Sequence, residues 1–330
     1  MINVRKCLDK QEWDDYVLEN NGHPLQLWGW GELKSAHGWK ADRVFLIDES
    51  NRVVGSAQLL IRKLNWPFKS ITYIPRGPIL NENNREELLL ELTKYVKNKY
   101  RSVVLTIETD SEEFDLPKGW KRSPNKILPS NTIILDLKKS EQELLSDMET
   151  STRRYIRKSA EENLTLKIIK DEKGLSDCLA IYKETAKRAN FGLHKDKYYK
   201  DLFDKLGDHS VLYVAYSDTQ PVAFLWLIIS ANTAFELYGG MTTEGRQLHA
   251  SYALKWHAVL KSKDWGLERY DFGGLVEGGV TSFKKSWTDK ETVLAGTFDY
   301  PLSVFYSLWN VFFPVSKKIF RKIMSLIGKK

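Results

Sequence analysis

Cysteine is nearly absent from this chain. Cys7 and Cys178 are the two present, too few for a disulfide framework, and both read as small buried hydrophobes in a reducing compartment. Long apolar runs are missing too. The stretch from Pro301 to Val315 falls short of the ~20 residues of a membrane span and is broken by Pro314. No secretory leader is expected, because Asn3, Arg5, Lys6 and Asp9 interrupt the opening residues. The six histidines are scattered, with no His-Glu-x-x-His and no zinc-spaced cysteine pair, so no metal is expected. Gly-x-Ser-x-Gly is also lacking, which argues against a covalent acyl-enzyme.

What is present is globular in character. Hydrophobic residues make up 42% and charged residues 28% of 330, enough for about two domains with real cores. Of the net charge of +7, six positive charges lie in the last fourteen residues, which hold no acid: Lys317, Lys318, Arg321, Lys322, Lys329 and Lys330. The rest is close to neutral, so a nucleic-acid partner must use a local patch.

The main pattern is a duplication. Phe45–Ile47, a polar turn and Val53–Ala57 match Tyr213–Ala215, a polar turn and Pro221–Phe224. Thr72–Gly77 matches Glu236–Gly240, and Leu88–Tyr100 before Ser102–Thr106 matches Tyr252–Asp264 before Glu268–Phe272. Three pieces in one order at nearly one offset indicate two copies of one module. Each reads strand, strand, strand, helix, strand, the order of an acetyltransferase-like core. The expected fold is therefore α/β (α+β): two tandem acetyltransferase-like (GNAT-like) domains with a ligand cleft between them. The expected domains are residues 1–138 and 139–300, followed by an apolar and basic tail, 301–330. A helix is expected over 9–20 behind Asp9, and another over 140–156 behind a Ser140–Glu143 capping box.

Such cores hold acyl-coenzyme A with a Gly-rich turn at the helix start. Here that corner reads Thr243-Glu244-Gly245-Arg246-Gln247-Leu248-His249-Ala250, with one glycine and an acid that would repel phosphate. The other copy, Asn81 to Arg85, has no glycine. The fold is expected without its usual cofactor.

Six segments in order carry a family likeness: Gln26–Lys34, Tyr73–Pro78, Thr152–Ser159, Glu184–Phe191, Leu237–Gly240, and Tyr270–Gly274 followed by Phe283-Lys284. With them the chain resembles the FemABX aminoacyltransferases, which add amino acids from aminoacyl-tRNA to a peptidoglycan precursor. No heptad run is present, so the likeness is to the short FemX type without a coiled-coil arm. Two departures leave acceptor and amino-acid specificity open. Lys285-Ser286-Trp287-Thr288 stands where the family often has Phe-Gly, and Ser251 stands near a frequent proline.

The resemblance implies attack by an amine on an aminoacyl ester, with no cofactor besides the aminoacyl-tRNA co-substrate. Lys284, after a glycine-rich bend, would serve the tRNA 3′ end and the oxyanion. Lys34 and Arg188 resemble the positions that bind the acceptor's phosphates. Arg188 can grip a diphosphate bidentately, as lysine cannot. Trp30 beside Lys34 offers an apolar wall, Arg76 follows Pro75 at a strand end, and Tyr238 lies beside two glycines where a ligand can approach. Arg153 with Arg157, and Arg154 with Lys158, form basic stripes at i,i+4 that suit a tRNA backbone, with Lys285 assigned to the same role. Glu108 and Asp110, ending a strand, are candidates for orienting the amine.

The tail suggests a surface partner. Ile319, Phe320, Ile323, Met324 and Ile327 fall on one helical face and the cations on the other, the pattern of an interfacial helix over residues 316–330. The expected setting is cytoplasmic, peripheral on the inner face of the plasma membrane, with lipid II or UDP-MurNAc-pentapeptide as acceptor and a monomeric protein. Two other readings stay open: acyl-CoA-dependent N-acylation of an envelope substrate, and a non-enzymatic tRNA-binding scaffold at the membrane surface.

Overall fold

Two β-sheets organise the chain, one per structural unit. The computed structural model describes residues 2–275 and 279–313; the tail helix expected over 316–330 lies outside them. Unit 1 comprises residues 2–130 and 293–313, and unit 2 residues 131–275 and 279–292. Unit 1 runs β1 (Asn3–Cys7), α1 (Lys10–Glu19), α2 (Trp28–Ala36), β2 (Lys40–Ile47), β3 (Val53–Lys63), β4 (Ser70–Ile74), β5 (Ile79–Leu80), α3 (Arg85–Tyr100), β6 (Val104–Glu108) and β7 (Lys121–Arg122). Unit 2 holds β8 (Asn131–Asp136), α4 (Glu141–Asp147), α5 (Thr150–Glu161), β9 (Leu164–Ile169), α6 (Glu172–Ala189) and α7 (Asp196–Leu206). It continues with β10 (Ser210–Ser217), β11 (Gln220–Ile229), β12 (Thr233–Met241), α8 (Thr243–Gln247), α9 (Ala250–Asp264), β13 (Arg269–Gly274) and α10 (Gly279–Lys285). β14 (Thr292–Val293) ends it, and β15 (Thr297–Pro301) returns to unit 1.

The duplication is visible in the topology. The sheets run β1-β2-β3-β4-β6-β15-β7 and β14-β8-β13-β12-β11-β10-β9. In each, two antiparallel steps lead to one parallel pair, β4 with β6 and β12 with β13, bridged by α3 or α9. A parallel pair needs such a crossover helix, and that fixes where each repeat can bind a ligand.

Two boundaries differ from the expectation. Residues 131–136 pair with β13 in unit 2, and residues 297–301 pair with β6 in unit 1. Each repeat would otherwise end on an unpaired edge strand, a state proteins avoid. The alternation within a strand of five or six residues does not say which of two similar sheets it joins.

Each core follows its sequence pattern. Asp9 caps α1, its Oδ1 accepting from Glu12 N at 2.8 Å, and Trp13 and Val17 are buried behind it. α3 buries Leu88, Leu89, Leu92 and Val96 against Val44, Leu46 and Leu105, each side chain contributing ~1.5–3 kcal/mol. α9 buries Leu254, Ala258 and Val259 with Tyr213, Tyr270 and Trp287. The single helix expected over 140–156 is two. Ser140 and Glu143 do form the capping box, but Met148 is extended (ψ 153) and starts a new direction. The break lets Leu144, Met148 and Ile156 all reach one core. Cys7 and Cys178 are free and buried.

Candidate active site

In unit 2, β12 and β13 pair only from Thr233 opposite Arg269 to Phe235 opposite Asp271, then part. Gly273 makes the departure possible. Its φ is +70, and a Cβ there would come within 2.9 Å of the Glu236 carbonyl oxygen. The turn aims the carbonyls of Gly273 and Gly274 at Lys284, whose Nζ donates to them at 3.2 and 3.1 Å. Among the described residues two of its three ammonium donors are thus used, which leaves the third for a ligand. Burial pushes the Lys284 ammonium below its ordinary value, opposed by the charges of Glu236 and Asp271.

Beneath Lys284 lies a buried cluster that sequence reasoning missed. Lys255 Nζ donates to both Glu236 carboxylate oxygens at 2.6 and 2.7 Å, and the Tyr270 hydroxyl donates to Oε1 at 2.8 Å. The Lys255 ammonium lies 4.1 Å from the Phe272 ring centroid. Burial brings it down to about 8, resisted by Glu236. The available signal was a lysine on the apolar face of α9, with Ala258 and Val259 three and four residues on.

Arg188 and Tyr238 flank the far end of β12. A Cβ at Gly240 would come within 2.8 Å of Thr185 Oγ1, so glycine there lets α6 approach the strand closely. Arg188, in the last turn of α6, donates from Nη2 to Met241 O at 2.7 Å and from Nη1 to Glu184 Oε1 at 3.2 Å. Its side chain remains 30% exposed, so an anion can still reach the guanidinium. Tyr238 stands among Tyr182, Tyr199 and Trp226, with ring centroids 5.4–6.2 Å away. Burial raises its hydroxyl well above the ordinary tyrosine value.

The corner where coenzyme A would sit is closed by its own hydrogen bonds. Gly245 N donates to Thr242 Oγ1 at 3.0 Å, Arg246 N to Thr242 O, Leu248 N to Glu244 O and His249 N to Arg246 O. A Cβ on Gly245 would meet Val222 O at 2.2 Å, so α8 is pressed against β11. Four of the backbone donors at this corner are therefore spent within it.

The expected tRNA residues divide. Arg153 reaches the carbonyls of Leu145 (3.3 Å) and Met148 (2.5 Å) at the end of α4, so it holds the helix break rather than standing free. Lys285 pairs with Glu291 at 2.6 Å. Arg154, Arg157 and Lys158 are exposed, with Arg154 packed on the Tyr155 ring. Arg157 borders a groove of about 560 Å³ lined by Leu145, Ile156, Trp256 and Leu260, none of them part of the Lys284 cluster.

In unit 1, Lys34 lies near the end of α2 with Nζ 4.2 Å from the Trp30 ring centroid. Burial lowers it to about 8. Arg43 supports the helix from below: it stacks on Trp28 at 3.6 Å and donates to Trp28 O, Gln58 Oε1 and Glu32 Oε1. A Cβ on Gly31 would come within 2.4 Å of Arg43 Nη2.

Two expectations in unit 1 change. Arg76 is buried in a left-handed turn (φ +46) and bonds to the carbonyls of Thr109 (3.4 Å) and Pro129 (3.1 Å). It ties strand ends together instead of facing a phosphate. Glu108 is buried with both oxygens engaged. Tyr73 donates to Oε2, while Ile127 N (3.1 Å), Leu128 N (2.8 Å) and Thr297 Oγ1 (2.7 Å) donate to Oε1. It anchors β15 and the 127–128 loop, so its carboxylate serves the fold of unit 1. Asp110, just beyond, is half-buried.

Comparisons with known proteins bear on the family and the fold. Residues 8–110 match the model of the FemAB family, and residues 146–285 match that of the acetyltransferase (GNAT) domain. A lipid II:glycine glycyltransferase of Staphylococcus aureus is 23% identical over 390 aligned positions, covering 90% of this chain and 92% of the relative. The chain is thus similar to the FemABX proteins. A crystal structure of FemX superposes with a TM-score of 0.81 at 21% identity, over 94% of this chain and 99% of that one. L-PGS from Bacillus licheniformis (TM-score 0.58, 14% identity, 92% and 96% covered) shares the fold, as does a tandem GNAT protein of the clavulanic acid pathway (0.52, 12%, 92% and 99%). Residues 190–195 alone join α6 to α7, with no helical arm between them.

Proposed function

We propose that this protein transfers an amino acid from aminoacyl-tRNA to the stem peptide of a peptidoglycan precursor, building the interpeptide bridge. The observation that carries the reading is Lys284, a partly desolvated ammonium held by two carbonyls at the fork of a parallel strand pair, with a donor to spare. The acceptor amine attacks the ester carbonyl and a C–N bond forms. The C–O bond to the ribose then breaks, and the amine proton passes to the leaving ribose oxygen by way of the substrates. Lys284 supports the negative charge that develops on the carbonyl oxygen. Lys34 and Arg188 are each assigned a contact to acceptor phosphate, and Arg154, Arg157 and Lys158 to the tRNA backbone. The protein acts as a monomer in the cytoplasm, with residues 316–330 at the inner membrane surface. The test supplies lipid II and UDP-MurNAc-pentapeptide in parallel, with a labelled charged-tRNA pool. Label on neither acceptor, with intact protein, would refute the proposal.

Lys34 offers a sharper expectation. Lys34→Met should raise the acceptor KM roughly 10- to 100-fold with kcat little changed, as for one charge-assisted hydrogen bond of ~1.5–3 kcal/mol. Since folding lowers this group to about 8, the folded state binds fewer protons above that pH than the unfolded chain. The cation is a burden on the fold at neutral pH, so the variant should not melt lower. In the wild type, acceptor affinity should weaken as pH rises through about 8. A flat KM across pH 7–9, or a lowered Tm in the variant, would argue that Lys34 is structural. Arg188→Lys should also raise KM, since one point charge replaces a fork.

A further inference from the structure

Unit 1 carries an apolar surface that neither core nor candidate site uses. Trp66, in the loop between β3 and β4, is 93% exposed, and Val304, before the helix over 306–313, is 92% exposed. That helix is seated by one face. Tyr306 and Trp309 are buried against Phe68, Ile71, Val103 and Val104, and Tyr306 donates to Asp299 Oδ2 at 2.9 Å. Asn125 Nδ2 donates to Asn310 Oδ1 at 3.1 Å. The other face leaves Leu308, Val311 and Phe312 in solvent. The loop and the helix are joined through Phe68, whose ring lies 5.5 Å from Trp309 and 5.7 Å from Phe312. Exposed aromatic and aliphatic groups are thus presented by a pinned helix and the loop beside it.

The two segments that carry the patch bear charge of one sign. Residues 60–71 and 302–313 contain no Asp or Glu, and Arg62, Lys63 and Lys69 are exposed around Trp66. The chain then continues through residues 314–330, which add six cations and again no acid. A protein partner of ordinary composition would call for mixed charge at the rim. Apolar and Trp-bearing surface ringed by cations matches the interface of an anionic bilayer.

We propose that Trp66, Val304, Leu308, Val311 and Phe312 form a membrane-docking face that inserts into the headgroup region of an anionic lipid surface. It extends the tail's assigned role to the folded domain and does not depend on the transfer reaction. The test is flotation of the full-length protein with vesicles of phosphatidylcholine alone or with 30% phosphatidylglycerol. The wild type is expected to float with the anionic vesicles. Trp66→Ser combined with Phe312→Ser should lower the bound fraction at least tenfold without changing the melting curve. If that variant floats like the wild type, while Lys317, Lys318, Arg321 and Lys322 all changed to Ser abolishes flotation, the tail alone docks and the proposal fails. It also fails if the wild type does not float. A wild-type dimer that the double variant dissolves, by sedimentation without lipid, would assign the patch to a second copy instead.

Discussion

Lys284→Met is expected to slow transfer roughly 10²- to 10³-fold or more, the scale of losing one donor to a developing oxyanion. Acceptor and tRNA binding should change little, because the loss falls on the transition state. Single-turnover kinetics with bound substrates would separate the two. Lys285→Met is the control. Its ammonium pairs with Glu291, and its loss should cost only a surface ion pair. The pH profile adds a test. Lys284 must be protonated to act, and burial pulls it below its ordinary value, so activity should fall on the alkaline side earlier than for an exposed lysine. Lys284→Arg should move that descending limb out of range even if its rate is low, since a guanidinium keeps its charge. A Lys284→Met enzyme of normal rate would remove the lysine from the chemistry.

The second large effect is structural. Lys255→Met should destabilise unit 2 by about 3–5 kcal/mol, because Glu236 would stay buried with its cation gone and Tyr270 its remaining partner named here. For a unit of this size that is a fall of roughly 6–20 °C in Tm, readable by calorimetry. Adding Glu236→Gln should recover much of the loss. Glu236→Gln alone leaves a buried lysine without the charge that holds its proton, and Lys255 already lies near 8. That group binds fewer protons folded than unfolded, so this variant should gain stability as pH rises from 7 to 9. If Lys255→Met melts like the wild type, the pair does not hold the fork together. The same cluster underlies Lys284, so a loosened fork should also lower kcat.

Much of the fold could be read from the residues because it is written twice. The periodicity of Leu88, Leu89, Leu92 and Val96 set α3, and Asp9 marked the start of α1. The parallel pairing at each crossover followed from the order of elements. The domain edges could not be read, since β8 and β15 are short strands whose partners lie far along the chain. The candidate site could be read only as far as motifs point, to Lys284, Lys34 and Arg188 as the residues to test. It was not legible where burial decides. Glu108 and Arg76 look functional at strand ends, yet the Glu108 carboxylate and the two Arg76 Nη atoms bond inside unit 1. Lys255 looks like a surface residue until Glu236 is found opposite it. Arg153 belongs to a helix break that a continuous pattern conceals.

The central claim is the identity of the donor. The most direct measurement gives the full-length protein one precursor acceptor with two labelled donors in separate reactions, a charged-tRNA pool and acetyl-coenzyme A, each with wild type and Lys284→Met. Label arriving from tRNA alone, and lost in the variant, is the predicted result. Transfer from acetyl-coenzyme A with none from tRNA would contradict the account and return the α8 corner to the role its hydrogen bonds argue against.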